Sequence, residues 1–259
     1  RRERAFLGFG KVKSTDYSGG KGVSEITEYE TNYSSKQDFY VPYSDSAVRK
    51  YFYKKGLVKS VTVMDSLSRP RSVVKYTYNY FDQAADTYTL SEGKAEPVYK
   101  DIGRIIPLLY KTETTTTEYN GSILHSKKLI STIEQYDKYG NVLKYTDRGK
   151  DITDTTDDIK VTITYHPVTS KNAGGIPYQH TVTNSAGVVL RKSQTTIDTD
   201  GNITNIKRQY GNKNVDHNYE YDSYGNLTKS IFPLDQNDQR MFYQYEYDPV
   251  YHTYITKVT

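Results

Sequence analysis

The 259 residues carry a net charge of +4, with 28 tyrosines against 7 phenylalanines and neither cysteine nor tryptophan. Lacking cysteine, the chain has no disulfides, thiolate metal sites or thiol nucleophiles, and no apolar run is long enough to span a bilayer as a helix. Lys and Arg alternate with Asp and Glu along most segments, which argues against a nucleic-acid-binding stripe.

The first ten residues hold charges with no apolar stretch behind them, so they do not read as a signal peptide. Residues 25–31 alternate as a strand, and residues 51–63 read as two strands around a Lys54-Lys55-Gly56 turn. Between them, residues 44–50 are the best helix candidate, at one or two turns. Residues 72–80 form another strand, alternating from Val74. The clearest long hairpin runs from Leu108 to Tyr119, turns at Asn120-Gly121, and returns from Ser122 to Tyr136; Asn-Gly favours the type I′ turn that matches strand twist. Hairpins then succeed one another to Val258. Loops are expected at residues 16–22, 39–46, 91–107, 148–158 and 170–177. No helical stripe covers eleven residues, which disfavours parallel βαβ topology. The expectation is an all-β, antiparallel hairpin array with a less regular front, residues 1–107, and a repeat-bearing back, residues 108–259, or one continuous sheet. The chain begins without Met and stops inside a strand-like run, so it reads as a piece of a longer protein.

One phrase is used more than once. Tyr136-Asp137-Lys138-Tyr139-Gly140-Asn141 recurs as Tyr221-Asp222-Ser223-Tyr224-Gly225-Asn226, and a weaker copy is Ile197-Asp198-Thr199-Asp200-Gly201-Asn202. Fainter echoes lie at Asn184-Ser185-Ala186-Gly187 and Tyr119-Asn120-Gly121. Each combines a turn residue, a glycine that tolerates positive φ, and apolar residues of a returning strand, which is hairpin grammar repeated. Tyr136, Asp137, Gly140, Asn141, Asp200, Gly201, Asn202, Tyr221, Asp222, Gly225 and Asn226 are therefore expected to fix hairpin register.

These phrases resemble the YD repeat of the Rhs family and of the related B component of Tc insecticidal toxin complexes. The opening Arg2-Glu3-Arg4-Ala5-Phe6-Leu7-Gly8-Phe9-Gly10-Lys11-Val12 and the later Lys55-Gly56-Leu57-Val58-Lys59-Ser60 resemble phrases of the central region of Tc B components. The resemblance implies a segment of a larger wound β-sheet shell that holds a C-terminal toxin or effector. Its partners would be the rest of its own polypeptide, with that toxin domain, and a toxin-complex partner protein; its place would be secreted or on a bacterial surface.

No catalytic set emerges, so neither an enzyme nor a cofactor is expected. His125, His166, His180, His217 and His252 stand singly, without the i, i+2 or i, i+4 spacing of a metal site. Asp198-Thr199-Asp200-Gly201-Asn202 looks like a scrap of a calcium loop but lacks its downstream Glu, and reads as a turn. The acidic group Asp151, Asp154, Asp157 and Asp158 could gather a cation, yet suits a solvated loop. Asp248-Pro249 invites comparison with the Asp-Pro-x-Gly phrase of the Rhs autoprotease, but Val250-Tyr251 follows without the glycine. Tyrosine spacing offers an alternative function. Tyr76, Tyr78 and Tyr80 share one strand face, as do Tyr243, Tyr245 and Tyr247. Such faces could stack on a glycan or meet a partner protein; equally they could be cross-strand ladders that stabilise a sheet.

Overall fold

The computed structural model describes residues 4–6, 10–17, 22–30, 40–42, 56–82, 86–91, 105–149, 154–168 and 174–259. All regular structure among them is strand, paired antiparallel, in two compact units, Arg1–Asp158 and Ile159–Thr259. The helix expected at residues 44–50 lies outside the described residues.

In the first unit, β1 (Arg4–Phe6) and β4 (Tyr40–Pro42) form a two-stranded ribbon. The main sheet begins with β2 (Lys11–Asp16), β3 (Val23–Tyr29), β5 (Val58–Met64) and β6 (Pro70–Asp82). It continues through β8 (Ile105–Asn120), β9 (Ser122–Asp137) and β10 (Val142–Arg148). The short β7 (Thr87–Thr89) departs from this order. β8 and β9 are paired from the Asn120–Ser122 turn up to Lys111 and Thr132, and β9 then takes β7 as its partner, through Tyr88↔Tyr136. The sheet forks there. Side chains from both prongs pack at the fork: Tyr88, Leu90, Leu108, Tyr110 and Tyr136 form the one buried apolar cluster among the described residues, with Phe81, Ile106, Ile133 and Val142 against it. The Tyr136 hydroxyl crosses the fork to donate to the Leu109 carbonyl at 2.7 Å.

The second unit is a plain meander: β11 (Ile159–Tyr165), β12 (Pro177–Asn184), β13 (Val189–Ile197), β14 (Ile203–Tyr210), β15 (Lys213–Tyr221), β16 (Leu227–Leu234), β17 (Arg240–Tyr247) and β18 (Ile255–Val258), each beside the next. Its buried apolar side chains, among those described, are Val161 and Val182, a directly opposed pair on β11 and β12. Its other described side chains divide between half-buried and exposed. A sheet of that kind suits Tyr and Thr, which cover neighbouring strands with ring or methyl and keep a hydroxyl for water or backbone.

Candidate functional site

The hairpin loops of both units are where the chain is most closely specified, each by a dense set of hydrogen bonds. In the loop opened by Asp137, the carboxylate Oδ1 accepts from the backbone N–H of Tyr139 and of Asn141, at 2.9 and 2.8 Å, and Oδ2 accepts from Asn141 Nδ2 at 2.9 Å. Asp137 N–H donates to the Asn141 carbonyl, Gly140 N–H donates back to the Asp137 carbonyl, and Gly140 sits at φ +86. One carboxylate thus organises the whole turn, an Asx arrangement closed by a left-handed residue. The loops of Asp198 and Asp222 repeat it closely, with Asn202 and Asn226 as the responding amides and φ values of +91 at Gly201 and +83 at Gly225. Asp200, named from the sequence, contributes its backbone N–H, while the organising carboxylate is that of Asp198. The Asn184 loop keeps the backbone pattern, with Asn184 Oδ1 accepting from Val188 N–H.

Two loops of the same design carry no glycine. Asp65 accepts from Leu67 N–H and Arg69 N–H, and Ser68 takes the left-handed position at φ +59. Asp235 accepts from Asn237 N–H and Gln239 N–H, with Asp238 at φ +59. Asp248 governs a longer version: its carboxylate accepts N–H groups of Val250, Tyr251, Thr253 and Tyr254, and His252 adopts φ +55. In the loops of Asp65, Asp137, Asn184, Asp198, Asp222, Asp235 and Asp248 the residue before the Asx pairs with the first residue after the loop, and strand register shifts next to that pair. The bulge is built into the motif.

The carboxylates are electrostatically settled. Partial desolvation would raise Asp65, but the N–H groups and guanidinium of Arg69, with Leu67 N–H, outweigh it and bring the carboxyl down to about 2. Its Oδ2 also lies 3.2 Å from Arg71 Nε. Asp222 is lowered in the same balance, chiefly by Asn226. Asp198 is lowered by the Asn202 amide, Asp235 by Gln239 N–H, and Asp248 by Tyr251 N–H.

The tyrosine of the motif has its own task. Tyr221 Oη donates to the Ile203 carbonyl at 2.9 Å, and Tyr247 Oη donates to the Leu227 carbonyl at 3.0 Å. Ile203 and Leu227 are the first residues after the Asp198 and Asp222 loops. Each motif is therefore tied to the loop before it on the same end of the sheet. Tyr119 Oη reaches the Pro70 carbonyl, just beyond the Asp65 loop, in the same way, with the Arg69 guanidinium 4.6 Å above its ring. Adjacent loops also touch directly: Asn226 Nδ2 donates to the His252 carbonyl at 2.7 Å, and the Tyr224 and His252 rings stack at 4.0 Å.

No family model and no curated protein matches the sequence. Solved structures do match. The crystal structure of TcdB2-TccC3-TEV superposes on 98% of this chain with a TM-score of 0.55 at 10% identity, and that of TcdB2-TccC3 without its hypervariable C-terminal region does so on 98% with a TM-score of 0.54 at 10% identity. The fold is shared. This chain spans 19% of the length of each of those TcdB2-TccC3 chains.

The remaining candidate residues lie along the strands and in the loops between them. Tyr76, Tyr78 and Tyr80 lie half-buried on β6, on the face opposite Asn79, which is 7% exposed. Tyr78 Oη donates to the Val58 carbonyl, and burial raises its phenol pKa. Tyr245 and Tyr247 are half-buried on β17, whereas Tyr243 is 46% exposed and meets Phe232 edge-on at 5.6 Å. The histidines stay apart, and no group of three or more His, Asp or Glu among the described residues converges as a metal would need. His166 Nε2 lies 3.1 Å from Thr195, and His217 Nδ1 lies 3.2 Å from Arg208. Burial lowers His180 and His217, with Arg191 and Arg208 adding to it. In the acidic group, Asp154 caps Thr156 and Asp158 is buried; Asp151 lies outside the described residues.

The Asp65 and Asp235 loops escaped sequence reasoning because their left-handed positions hold Ser and Asp. The available signal was an Asp at a strand end with a polar residue three places on.

Proposed function

We propose that this chain is a stretch of wall in a YD-repeat protein of the Rhs kind, whose β-sheet shell encloses a C-terminal toxin or effector. The observation that carries this reading is the match itself. Nearly the whole chain follows the TcdB2-TccC3 fold while amounting to 19% of its length, as expected of one contiguous portion of a larger sheet. The loop motif supports it: carboxylate-centred turns joined in series give a sheet whose register does not depend on a deep core. The partners are then the rest of the same polypeptide, its enclosed toxin domain and a toxin-complex protein, in a secreted or surface-exposed bacterial setting. Electron microscopy of the full-length polypeptide tests this. A closed hollow particle with density inside agrees with it; an open sheet or rod refutes it.

A second reading draws on Met241 and Tyr243, both exposed and on the same face of β17. It makes the tyrosine-rich strand a contact surface for a glycan or partner protein. Retention of sugars on a glycan array, abolished by Tyr245 or Tyr76 replacement without unfolding, would support it.

A further inference from the structure

The fork between β8 and β9 leaves a cavity of about 480 Å³, within the span of small-ligand sites, about 300–1,000 Å³. Its floor is one face of three adjacent strands. Lys111 on β8 is paired with Thr132 on β9, and Thr132 with Thr146 on β10, so these side chains form a row across the sheet. Arg148 and Glu134, each two residues along its strand from that row, occupy the same face on either side of it. Leu90, Ile130 and Tyr110 supply the apolar part.

A bulge shapes this floor. β6 pairs Thr77 with Lys111 and Tyr78 with Leu109, which leaves Tyr110 as the extra residue. Strict alternation would send Tyr110 and Lys111 to opposite faces; the bulge brings both to the cavity. Thr146 is buried at 8% exposure and donates from Oγ1 to Glu134 Oε1 at 2.6 Å, which holds that carboxylate in place.

The lining sets two cations and hydroxyl donors beside a single carboxylate. A dianionic phosphate would meet repulsion from Glu134, and the backbone N–H cradle or helix terminus that usually receives phosphate is not part of this lining. A monoanion that also carries hydroxyls fits every polar group: the carboxylate against Lys111 and Arg148, the hydroxyls against Glu134, Thr132 and Ser91. We infer that this cavity binds an acidic sugar of the uronic type. The site is separate from the tyrosine faces and from the wall role, so either can fail without the other.

Calorimetric titration of the 259-residue chain with glucuronate, glucose, acetate and inorganic phosphate tests it. Glucuronate should bind saturably, with an affinity that weakens as salt rises; glucose, acetate and phosphate should not. Arg148→Gln, at an exposed position, should weaken glucuronate at least about tenfold, the loss expected for a charge-assisted hydrogen bond, with the thermal transition unchanged. Lys111→Gln should do the same and provides a second variant. Absence of saturable glucuronate binding overturns the proposal, as does equal binding of acetate or phosphate. Full affinity in both folded variants overturns it as well.

Discussion

Gly225 offers a sharp test of the loop argument, because its environment separates backbone strain from steric clash. Its φ of +83 lies in the left-handed region, which costs a residue bearing Cβ about 1–2 kcal/mol. A Cβ there would find only Asn202 Oδ1 within 4 Å, at 3.8 Å, so alanine meets no obstacle. Stiffening the unfolded chain returns about 0.4–1 kcal/mol, and Gly225→Ala should therefore destabilise by about 1 kcal/mol. Valine is a worse case: β-branching makes positive φ a true outlier, its methyls grow towards Asn202 of the neighbouring loop, and about 2–3 kcal/mol is expected. Asparagine, which enters the left-handed region readily, should cost a few tenths of a kcal/mol. At about 2–4 °C per kcal/mol for a chain of this size, thermal unfolding followed by circular dichroism separates valine from asparagine. Gly175→Val is the control, at a glycine with open space around it and no positive φ. An unchanged midpoint for Gly225→Val, or asparagine as harmful as valine, would refute the claim that these glycines act through backbone conformation.

Tyr136→Phe removes the hydroxyl bonded to Leu109 across the fork and should cost about 0.5–1.5 kcal/mol, seen as a lower urea midpoint at unchanged slope. The same phenol titrates at about 12, pushed up by burial. Its folded pKa stands above the unfolded value near 10, so its contribution is full below about 10 and fades as pH rises towards 12; the urea midpoint should fall over that window, less steeply in Tyr136→Phe. The loop aspartates behave oppositely. Asp65, Asp198, Asp222, Asp235 and Asp248 are all lowered when folded, so what they add is complete above the unfolded value near 4 and is lost as pH falls towards 2. Stability measured from pH 6 to 2 should drop in that window, and Asp65→Asn should make the drop shallower; a flat profile would show that these carboxylates are not coupled to folding.

Much of this fold is legible as pattern. Alternation locates β3, β6, β8 and β9, and the Asp-x-x-Gly-Asn spelling locates three loops before any geometry is known. Legibility ends where one conformation admits several spellings. Ser68 and Asp238 perform the task of Gly140, because a short polar side chain lowers the cost of positive φ without removing it. The fork at Lys111 and Thr132 is invisible for another reason: β8 and β9 each run on as strand past the point where their pairing ends, and β9 there takes a competing partner, β7. The cavity inherits that opacity. Its polar groups come from β8, β9 and β10 and from Ser91, and the bulge at Tyr110 breaks the alternation on which a face assignment from sequence depends.

The tyrosines show how the two levels join. Sequence spacing places Tyr243, Tyr245 and Tyr247 on one face, as though they were equivalent, yet their surroundings divide them. Tyr247 spends its hydroxyl on the Leu227 carbonyl, while Tyr243 stays exposed. The difference follows from distance to the loop. A tyrosine directly before an Asx turn is opposite the first residue of the returning strand, as Tyr221 is opposite Leu227 and Tyr247 opposite Ile255, and its hydroxyl extends the other way, to the strand before it. It thereby links the turn it precedes to the turn already made. Tyr243, four residues earlier on the same strand, packs edge-on against Phe232 instead. The coupling of Tyr to Asp in the motif is then mechanical: the aspartate sets one hairpin, and the tyrosine registers that hairpin against its predecessor. A sheet whose second unit buries only Val161 and Val182 among its described apolar side chains needs both, because a register left to half-buried faces alone is free to slip.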